Sequence, residues 1–130
     1  MDLQGGCFCG FVRYRVGGIP VHETCCHCSI CRRTGAAPFV AWFTVDAGDF
    51  ALLSGEPARF RSSDHATRSF CPRCGTPLAF RDDRQPNAID VTTCSLDDPE
   101  RVPPRDHTHT GAKLSWAVLG GLPTFPGARD

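Results

Sequence analysis

Short segments with alternating apolar and polar residues dominate the chain and predict β-strands. In the segment Phe11–Val16, apolar residues alternate with Arg13 and Arg15, which is the period-2 pattern of a strand with one solvated face. The segment Pro38–Val45 is apolar at nearly every position, which predicts a central strand buried on both faces. Five further strands are predicted at Phe50–Leu53, Ala58–Arg61, Arg68–Phe70, Leu78–Phe80 and Ala88–Thr93.

Helix is expected only as single turns. The chain has 13 glycines and 11 prolines, and these residues punctuate it too often for long helices. Single turns are predicted at Ser29–Thr34 and around Asp98–Arg101, and prolines favour an extended loop over Pro99–Asp106. The pattern predicts an all-β fold of short strands joined by metal-binding knuckles. We expect one domain over residues 1–130, since 130 residues suffice for a single core.

The cysteines are the most informative side chains because eight of the nine are clustered. They form a C-x-C, a CCHCSIC run and a C-x-x-C: Cys7 and Cys9; Cys25, Cys26, Cys28 and Cys31; Cys71 and Cys74. A disulfide between such close neighbours would be strained, whereas zinc takes thiolates that converge on one point. Disulfide pairing is the alternative, and a reducing compartment disfavours it.

The first and last motifs together supply the four thiolates of a closed site. Cys71 and Cys74 form a knuckle, and the following Gly75 can adopt the backbone angle that such a turn requires. Cys7 and Cys9 are expected to share one face of a strand. Four-thiolate zinc sites are structural, and this one would stabilise the fold by several kcal/mol.

The middle motif is one ligand short of a closed site. Cys26, Cys28 and Cys31 supply three thiolates from one loop, and three protein ligands with an open position are typical of catalytic zinc. The alternative is a closed structural site whose fourth ligand is Cys25, Cys94 or one of the five histidines. Cys25 is disfavoured because its neighbour Cys26 would point to the opposite side of an extended segment.

Successive motifs resemble those of the glutathione-dependent formaldehyde-activating enzyme family. The resemblance runs from about Gly5 to Phe125, through GGCFCGFVRY, CHCSICRRTG, RSFCPRCGTPLAF, DVTTCSLDDPE and a final W-x₄-GLPTF. It implies a coiled, multi-sheet β fold shared with the B-type methionine sulfoxide reductases. It also implies two zinc ions, a structural one at Cys7, Cys9, Cys71 and Cys74, and a second at Cys26, Cys28 and Cys31 with a position left for substrate.

The resemblance implies glutathione and formaldehyde as reactants. A free thiol has a pKa of about 8.5 and is mostly protonated at neutral pH, but a thiol bound to zinc is deprotonated. Its addition to formaldehyde would give S-hydroxymethylglutathione, and the reverse reaction is that of a carbon–sulfur lyase. Arg32 and Arg33 follow Cys31 directly. They are candidates for binding a glutathione carboxylate, or else a solvated surface pair.

Two other classes of function compete with the lyase. One is a non-catalytic zinc module that binds a protein partner, which full occupancy of both sites by protein ligands would favour. The other is a thiol redox enzyme, which needs a reactive cysteine away from the metals. Only Cys25 and Cys94 are available for that role, and Cys94 is expected to be a small apolar residue that ends a buried strand.

Several other side chains are expected to be structural. Trp42 and Trp116 are predicted core aromatics. His107 and His109 alternate and so would share a strand face, either as structural residues or as partners of the site. His27 lies between two predicted ligands and would face away from them.

Charge and hydropathy exclude some partners. The 14 basic and 14 acidic residues balance, which gives no electrostatic reason to expect nucleic acid or an anionic membrane surface. The chain begins without a secretory signal and has no apolar run of about 20 residues. We therefore expect a cytoplasmic protein whose partner is a small-molecule thiol such as glutathione.

Overall fold

The computed structural model describes residues 1–117 and 120–129, and strands dominate this part of the chain. The strands are β1 (Leu3–Gly6), β2 (Arg13–Val16), β3 (Val21–Cys26), β4 (Val40–Asp46), β5 (Phe50–Ser54), β6 (Ala58–Arg61), β7 (Ala66–Phe70), β8 (Pro77–Asp82), β9 (Ala88–Thr92) and β10 (Asp106–Thr108). One α-helix, α1 (Ser29–Gly35), accompanies four 3-10 helices at Ala47–Asp49, Thr93–Ser95, Pro99–Arg101 and Thr110–Ala112. The all-β prediction is confirmed.

The strands form two sheets. A small sheet has the order β1-β2-β5, and a large sheet has the order β10-β3-β4-β9-β8-β7-β6. All seven predicted strands are present; β6 has the predicted ends, and the other six have shifted ends. The sequence pattern missed β1, β3 and β10, because LQGG, VHETCC and DHT show no alternation of apolar and polar residues. No helix within residues 1–117 and 120–129 combines the length and apolar character that crossing a bilayer would require.

The main core joins the small sheet to one face of the large sheet. The alternation predicted for Phe11–Val16 is confirmed, since Val12, Tyr14 and Val16 are fully buried. The Tyr14 hydroxyl lies 2.6 Å from the Ser95 hydroxyl, so the only polar atom of this side chain is satisfied. This hydrogen bond connects the small sheet to the segment that follows β9.

The opposite face of the large sheet positions the candidate site. Trp42 lies on this face of β4, and its predicted burial is confirmed because only 9% of it is exposed. Cross-strand neighbours extend this face over five strands. The successive pairs are Thr44 with Asp90, Asp90 with Phe80, Phe80 with Arg68, and Arg68 with Phe60. These side chains share one side of the sheet because successive residues of a strand alternate between faces.

Two predictions near the C-terminus are corrected. Trp116 is 56% exposed and is not a core aromatic. The single turn predicted around Asp98–Arg101 is confirmed by the 3-10 helix Pro99–Arg101. The extended loop predicted over Pro99–Asp106 is therefore shorter than expected, and it ends where β10 begins. The final motif of the family resemblance includes residues 118 and 119, which lie outside the described residues.

Candidate metal centres and the adjoining cleft

The first cysteine cluster joins the start of the chain to its middle. Cys7 and Cys9 lie in the turn after β1, and Cys71 and Cys74 lie in the knuckle between β7 and β8. The four Sγ atoms all lie within 4.8 Å of one another. The prediction that Cys7 and Cys9 share a strand face is wrong, because the chain turns there and Gly10 N–H donates to the Cys7 carbonyl at 3.2 Å.

Backbone amides surround the sulfurs of this cluster. Val12 N–H donates to Cys7 Sγ at 3.2 Å, and Cys74 N–H donates to Cys71 Sγ at 3.4 Å. The knuckle depends on Gly75, whose φ of +82° confirms the expected backbone angle. Amide donors directed at sulfur favour thiolate over thiol, so the donor set fits a zinc ion bound by four thiolates.

Thr76 connects the two halves of the cluster. Its hydroxyl oxygen accepts a hydrogen bond from Phe8 N–H at 3.1 Å and lies 3.3 Å from Cys74 Sγ. The hydrogen bond from Thr76 lowers the pKa of Cys74 to about 5. This residue therefore holds the first turn against the knuckle and favours the charged form of one ligand.

The second cysteine cluster is local in sequence. Cys26 ends β3, Cys28 is the N-cap of α1, and Cys31 lies in the first turn of that helix. Their three Sγ atoms lie within 4.8 Å of one another. Cys31 N–H donates to Cys28 Sγ at 3.2 Å, so the cap of the helix is itself a candidate ligand. Among the described residues, no further histidine, cysteine or carboxylate joins this group.

The opposite pKa shifts of Cys26 and Cys31 also indicate that the second cluster could bind a cation. The hydrogen bond from Cys31 lowers the pKa of Cys26 to about 5. The same contact with Cys26, together with burial, raises the pKa of Cys31. Three thiolates this close repel one another in a partly buried place. A metal ion would remove that conflict, and thiolates are ligands that zinc prefers.

The neighbours of the second cluster face elsewhere. Cys25 and Cys26 are consecutive in β3, and only Cys26 belongs to the cluster. Burial raises the pKa of the Cys25 thiol, and the nearby Cys94 raises it further. Cys94 is exposed in the 3-10 helix Thr93–Ser95, so its predicted burial is wrong. The strand ends at Thr92, one residue earlier than predicted, and Cys94 lies in the 3-10 helix that follows it.

The histidines form a separate contact. His27 is 1% exposed, and its Nε2 lies 2.9 Å from Nδ1 of His107. The expectation that His27 faces away from its cysteine neighbours agrees with this contact. His109 has a φ of +56° and lies just beyond β10, so the prediction that His107 and His109 share a strand face is wrong.

The two arginines of α1 differ in exposure. Arg33 is exposed, whereas Arg32 is half-buried. The Nε atom of Arg32 is buried without a hydrogen-bond partner among the described residues. Both lie in the last turn of α1, where a positive charge opposes the helix dipole favourably.

A cleft of about 340 Å³ lies between the end of α1 and the knuckle of the first cluster. Its floor is the face of the large sheet opposite the main core. On this face, Trp42 and Val40 pack against the second cysteine cluster. Arg68 lines this cleft. The sequence pattern did not single it out, because a three-residue strand does not show which face each side chain occupies. The remaining lining residues are Thr34, Gly35, Phe60, Ser69, Phe70, Gly75, Pro77 and Ala79.

Comparison with known proteins agrees with this arrangement. The model of the family described as glutathione-dependent formaldehyde-activating enzyme matches residues 2–112. A Halomonas elongata protein, provisionally named as this enzyme, is 31% identical over 128 residues, covering 92% of this chain and 82% of its own. An uncharacterized lyase of Schizosaccharomyces pombe is 30% identical over 79 residues, covering 61% of this chain and 57% of its own.

A solved structure supports the fold. The crystal structure of a Rhodobacter sphaeroides protein superposes with a TM-score of 0.68 at 23% identity, covering 82% of this chain and all of the other. Two cysteine clusters on a two-sheet β fold define a candidate metal-binding β protein. The chain belongs to the glutathione-dependent formaldehyde-activating enzyme family.

Proposed function

We propose that the protein is a zinc-dependent carbon–sulfur lyase and synthase that interconverts glutathione plus formaldehyde with S-hydroxymethylglutathione. Cys7, Cys9, Cys71 and Cys74 would hold a structural zinc, and Cys26, Cys28 and Cys31 would hold the catalytic one. Family membership supports the reactants. The named relatives support a lyase of this kind.

The observation that carries the proposal is the difference in ligand number. Four sulfurs converge in the first cluster and three in the second. A fourth coordination position at the second cluster would be available to a substrate sulfur, as in catalytic zinc sites. The non-catalytic module would instead require a fourth protein ligand at this place.

The chemistry required of the site is modest. A zinc ion there would supply the positive charge that keeps a bound thiol deprotonated at neutral pH. The substrate thiolate adds to the carbonyl carbon of formaldehyde, a carbon–sulfur bond forms, and the oxygen takes up a proton. Cys26 and Cys31 are buried, so the protein excludes water from one side of the reacting sulfur. Arg32 and Arg33 are candidate carboxylate-binding residues.

The proposal also assigns a reducing compartment, the cytoplasm. All nine cysteines are unpaired in the structure, and thiolate ligands persist where thiols are kept reduced. The balanced charge supports a small-molecule partner rather than a nucleic acid.

Cobalt substitution tests the proposal directly. With cobalt at the second site, glutathione should change the thiolate charge-transfer and ligand-field bands, because a fourth sulfur enters the coordination sphere. Formaldehyde consumption should exceed the spontaneous rate and should be lost in Cys28→Ser. The Cys94→Ser variant is the matched control, since Cys94 is exposed and outside both clusters. An unchanged cobalt spectrum at saturating glutathione would refute the proposal.

A further inference from the structure

The cleft beside the second cysteine cluster contains two buried N–H donors without acceptors. Trp42 Nε1 and Arg68 Nε are both buried, and neither has a hydrogen-bond partner among the described residues. Both side chains line the cleft. Because buried polar groups are nearly always paired, two orphan donors on side chains that line one apolar cleft indicate a ligand that brings acceptors.

Aromatic rings hold the Arg68 guanidinium in place. Its central carbon lies 4.9 Å from the centroid of the Phe80 ring and 5.9 Å from that of Trp42. These distances are within the range of cation–π attraction, which positions the group without using its N–H donors. Arg68 is therefore held by the faces of the rings, and its Nε N–H is left without a hydrogen-bond partner among the described residues.

Asp90, which pairs with Phe80 on this face, does not neutralise Arg68. Asp90 accepts a hydrogen bond from the Thr44 hydroxyl at 2.6 Å and forms no ion pair with Arg68. Burial raises the pKa of Asp90, although Arg68 opposes that rise. No other described carboxylate lies within 4.0 Å of the guanidinium, in contrast to Arg13 and Arg61, which have such partners.

Trp42 and the end of α1 lie next to both the cleft and the second cysteine cluster. Trp42 contributes to the cleft and also packs against Cys26 and Cys31. Thr34 and Gly35 bring the end of α1, the helix that carries Cys31, to the same cleft. A ligand whose sulfur reached the cysteine cluster could therefore extend over the apolar floor toward Arg68.

We propose that Arg68, assisted by the Trp42 indole N–H, binds a carboxylate of the substrate thiol at the far end of this cleft. The substrate class is a thiol with a carboxylate remote from its sulfur. This inference rests on the proposed function for the sulfur end, but its carboxylate site is independent of the metal. It assigns this carboxylate to the sheet, whereas Arg32 and Arg33 are candidates for the second carboxylate of glutathione.

Calorimetry and NMR with S-methylglutathione test the site without chemistry, because a thioether cannot supply a thiolate. The Trp42 indole N–H resonance should move downfield on binding, and Trp116→Phe assigns it, since the chain has only two tryptophans. Arg68→Gln should weaken binding by roughly tenfold or more, because hydrogen bonds to charged groups are the stronger ones. Arg68→Lys should retain part of the affinity.

Arg81→Gln is the matched control. Arg81 lies on β8, one residue beyond Phe80 and hence on the opposite face. The Arg81→Gln variant should therefore bind S-methylglutathione with the same affinity as the wild-type protein. The dimethyl ester of S-methylglutathione removes the carboxylates without changing the protein, so it tests the inference even if Arg68→Gln fails to fold. The ester should bind wild type about as weakly as the acid binds Arg68→Gln.

Each outcome distinguishes this inference from the proposed function. Equal affinity for acid and ester, or no binding of either, would overturn the inference. So would a loss confined to the Arg32→Ala, Arg33→Ala double variant, which would place the carboxylate at the helix. If glutathione changes the cobalt bands but Arg68 has no effect, the proposed function survives alone. If Arg68 governs affinity but the bands never change, the carboxylate site survives alone.

Discussion

The two cysteine clusters differ in how they are connected to the rest of the protein. Cys7 and Cys71 belong to the main hydrophobic core, together with residues of both sheets. Cys26 and Cys31 belong instead to a small separate cluster around Trp42. A change in packing at the first cluster should therefore destabilise the whole fold. A change at the second cluster should affect only the residues around it.

The clusters also differ in how far apart their ligands lie in the sequence. Cys9 and Cys71 are 62 residues apart, and their sulfurs lie 3.8 Å from each other. The second cluster draws its ligands from six consecutive residues. A metal that joins distant segments restricts the unfolded chain more than one bound by a short loop. Under the proposed function, the first site would stabilise the fold and the second would keep a position open to substrate.

The largest expected effect comes from removing one ligand of each cluster. Cys71→Ser should lower the free energy of unfolding by several kcal/mol, because it breaks the long-range site and disturbs a residue that is 1% exposed. Cys28→Ser should leave a folded chain, because Cys28 is only partly buried. Circular dichroism and thermal unfolding of both variants measure the contrast. Equal loss of stability in the two variants would contradict it.

Stepwise chelation should separate the two metals. We expect two zinc ions per chain, one removed readily from the three-cysteine cluster and one removed only as the protein unfolds. The reason is the smaller number of ligands and the local loop at the second cluster. Metal analysis alongside circular dichroism provides the measurement. A total of one ion, or release of both in one step, would show that the division into unlike sites is wrong.

The sequence predicted the division of the cysteines because ligand spacing is local chemistry. A C-x-C and a C-x-x-C each supply two sulfurs, so two such motifs complete one tetrahedron. The strands with clear alternation were also predictable. The turn at Cys7–Cys9 was not, because a short motif between glycines fits a turn as well as a strand.

Other features depend on packing that no short pattern encodes. β3 places Cys25 and Cys26 on opposite faces, but its sequence VHETCC gives no alternating signal. Arg68 became a candidate only when the register placed it beside Phe80 and Trp42. Nearness in sequence to the ligand Cys31 pointed instead to Arg32 and Arg33.

A smaller effect on stability is expected from ionisation of Tyr14, which lies in the core beside the four-cysteine cluster. Burial raises the pKa of Tyr14 to about 12, whereas an unfolded tyrosine ionises near pH 10. The folded state holds this proton more tightly, so its contribution to stability is complete below about pH 10 and is lost as the pH rises toward 12. The chain has a single tyrosine, so tyrosinate absorbance reports Tyr14 alone.

The matched variant is Tyr14→Phe. It should lower the free energy of unfolding by about 1 kcal/mol, through loss of the hydrogen bond to Ser95. It should also remove Tyr14's part of the alkaline loss of stability, and it should leave metal release from the three-cysteine cluster unchanged. A tyrosinate transition near pH 10 in the folded protein would show that water reaches this core.

The smallest expected effect is on metal content when Cys25 or Cys94 is replaced. Neither sulfur belongs to a cluster, so Cys25→Ser and Cys94→Ser should each keep two zinc ions per chain. Cys25→Ser should cost some stability because Cys25 is buried, and Cys94→Ser should cost little because Cys94 is exposed. Metal analysis of the two variants therefore separates ligation from packing. If Cys25→Ser empties the second site, four protein ligands close that site, no position remains for a substrate sulfur, and the two clusters are both structural.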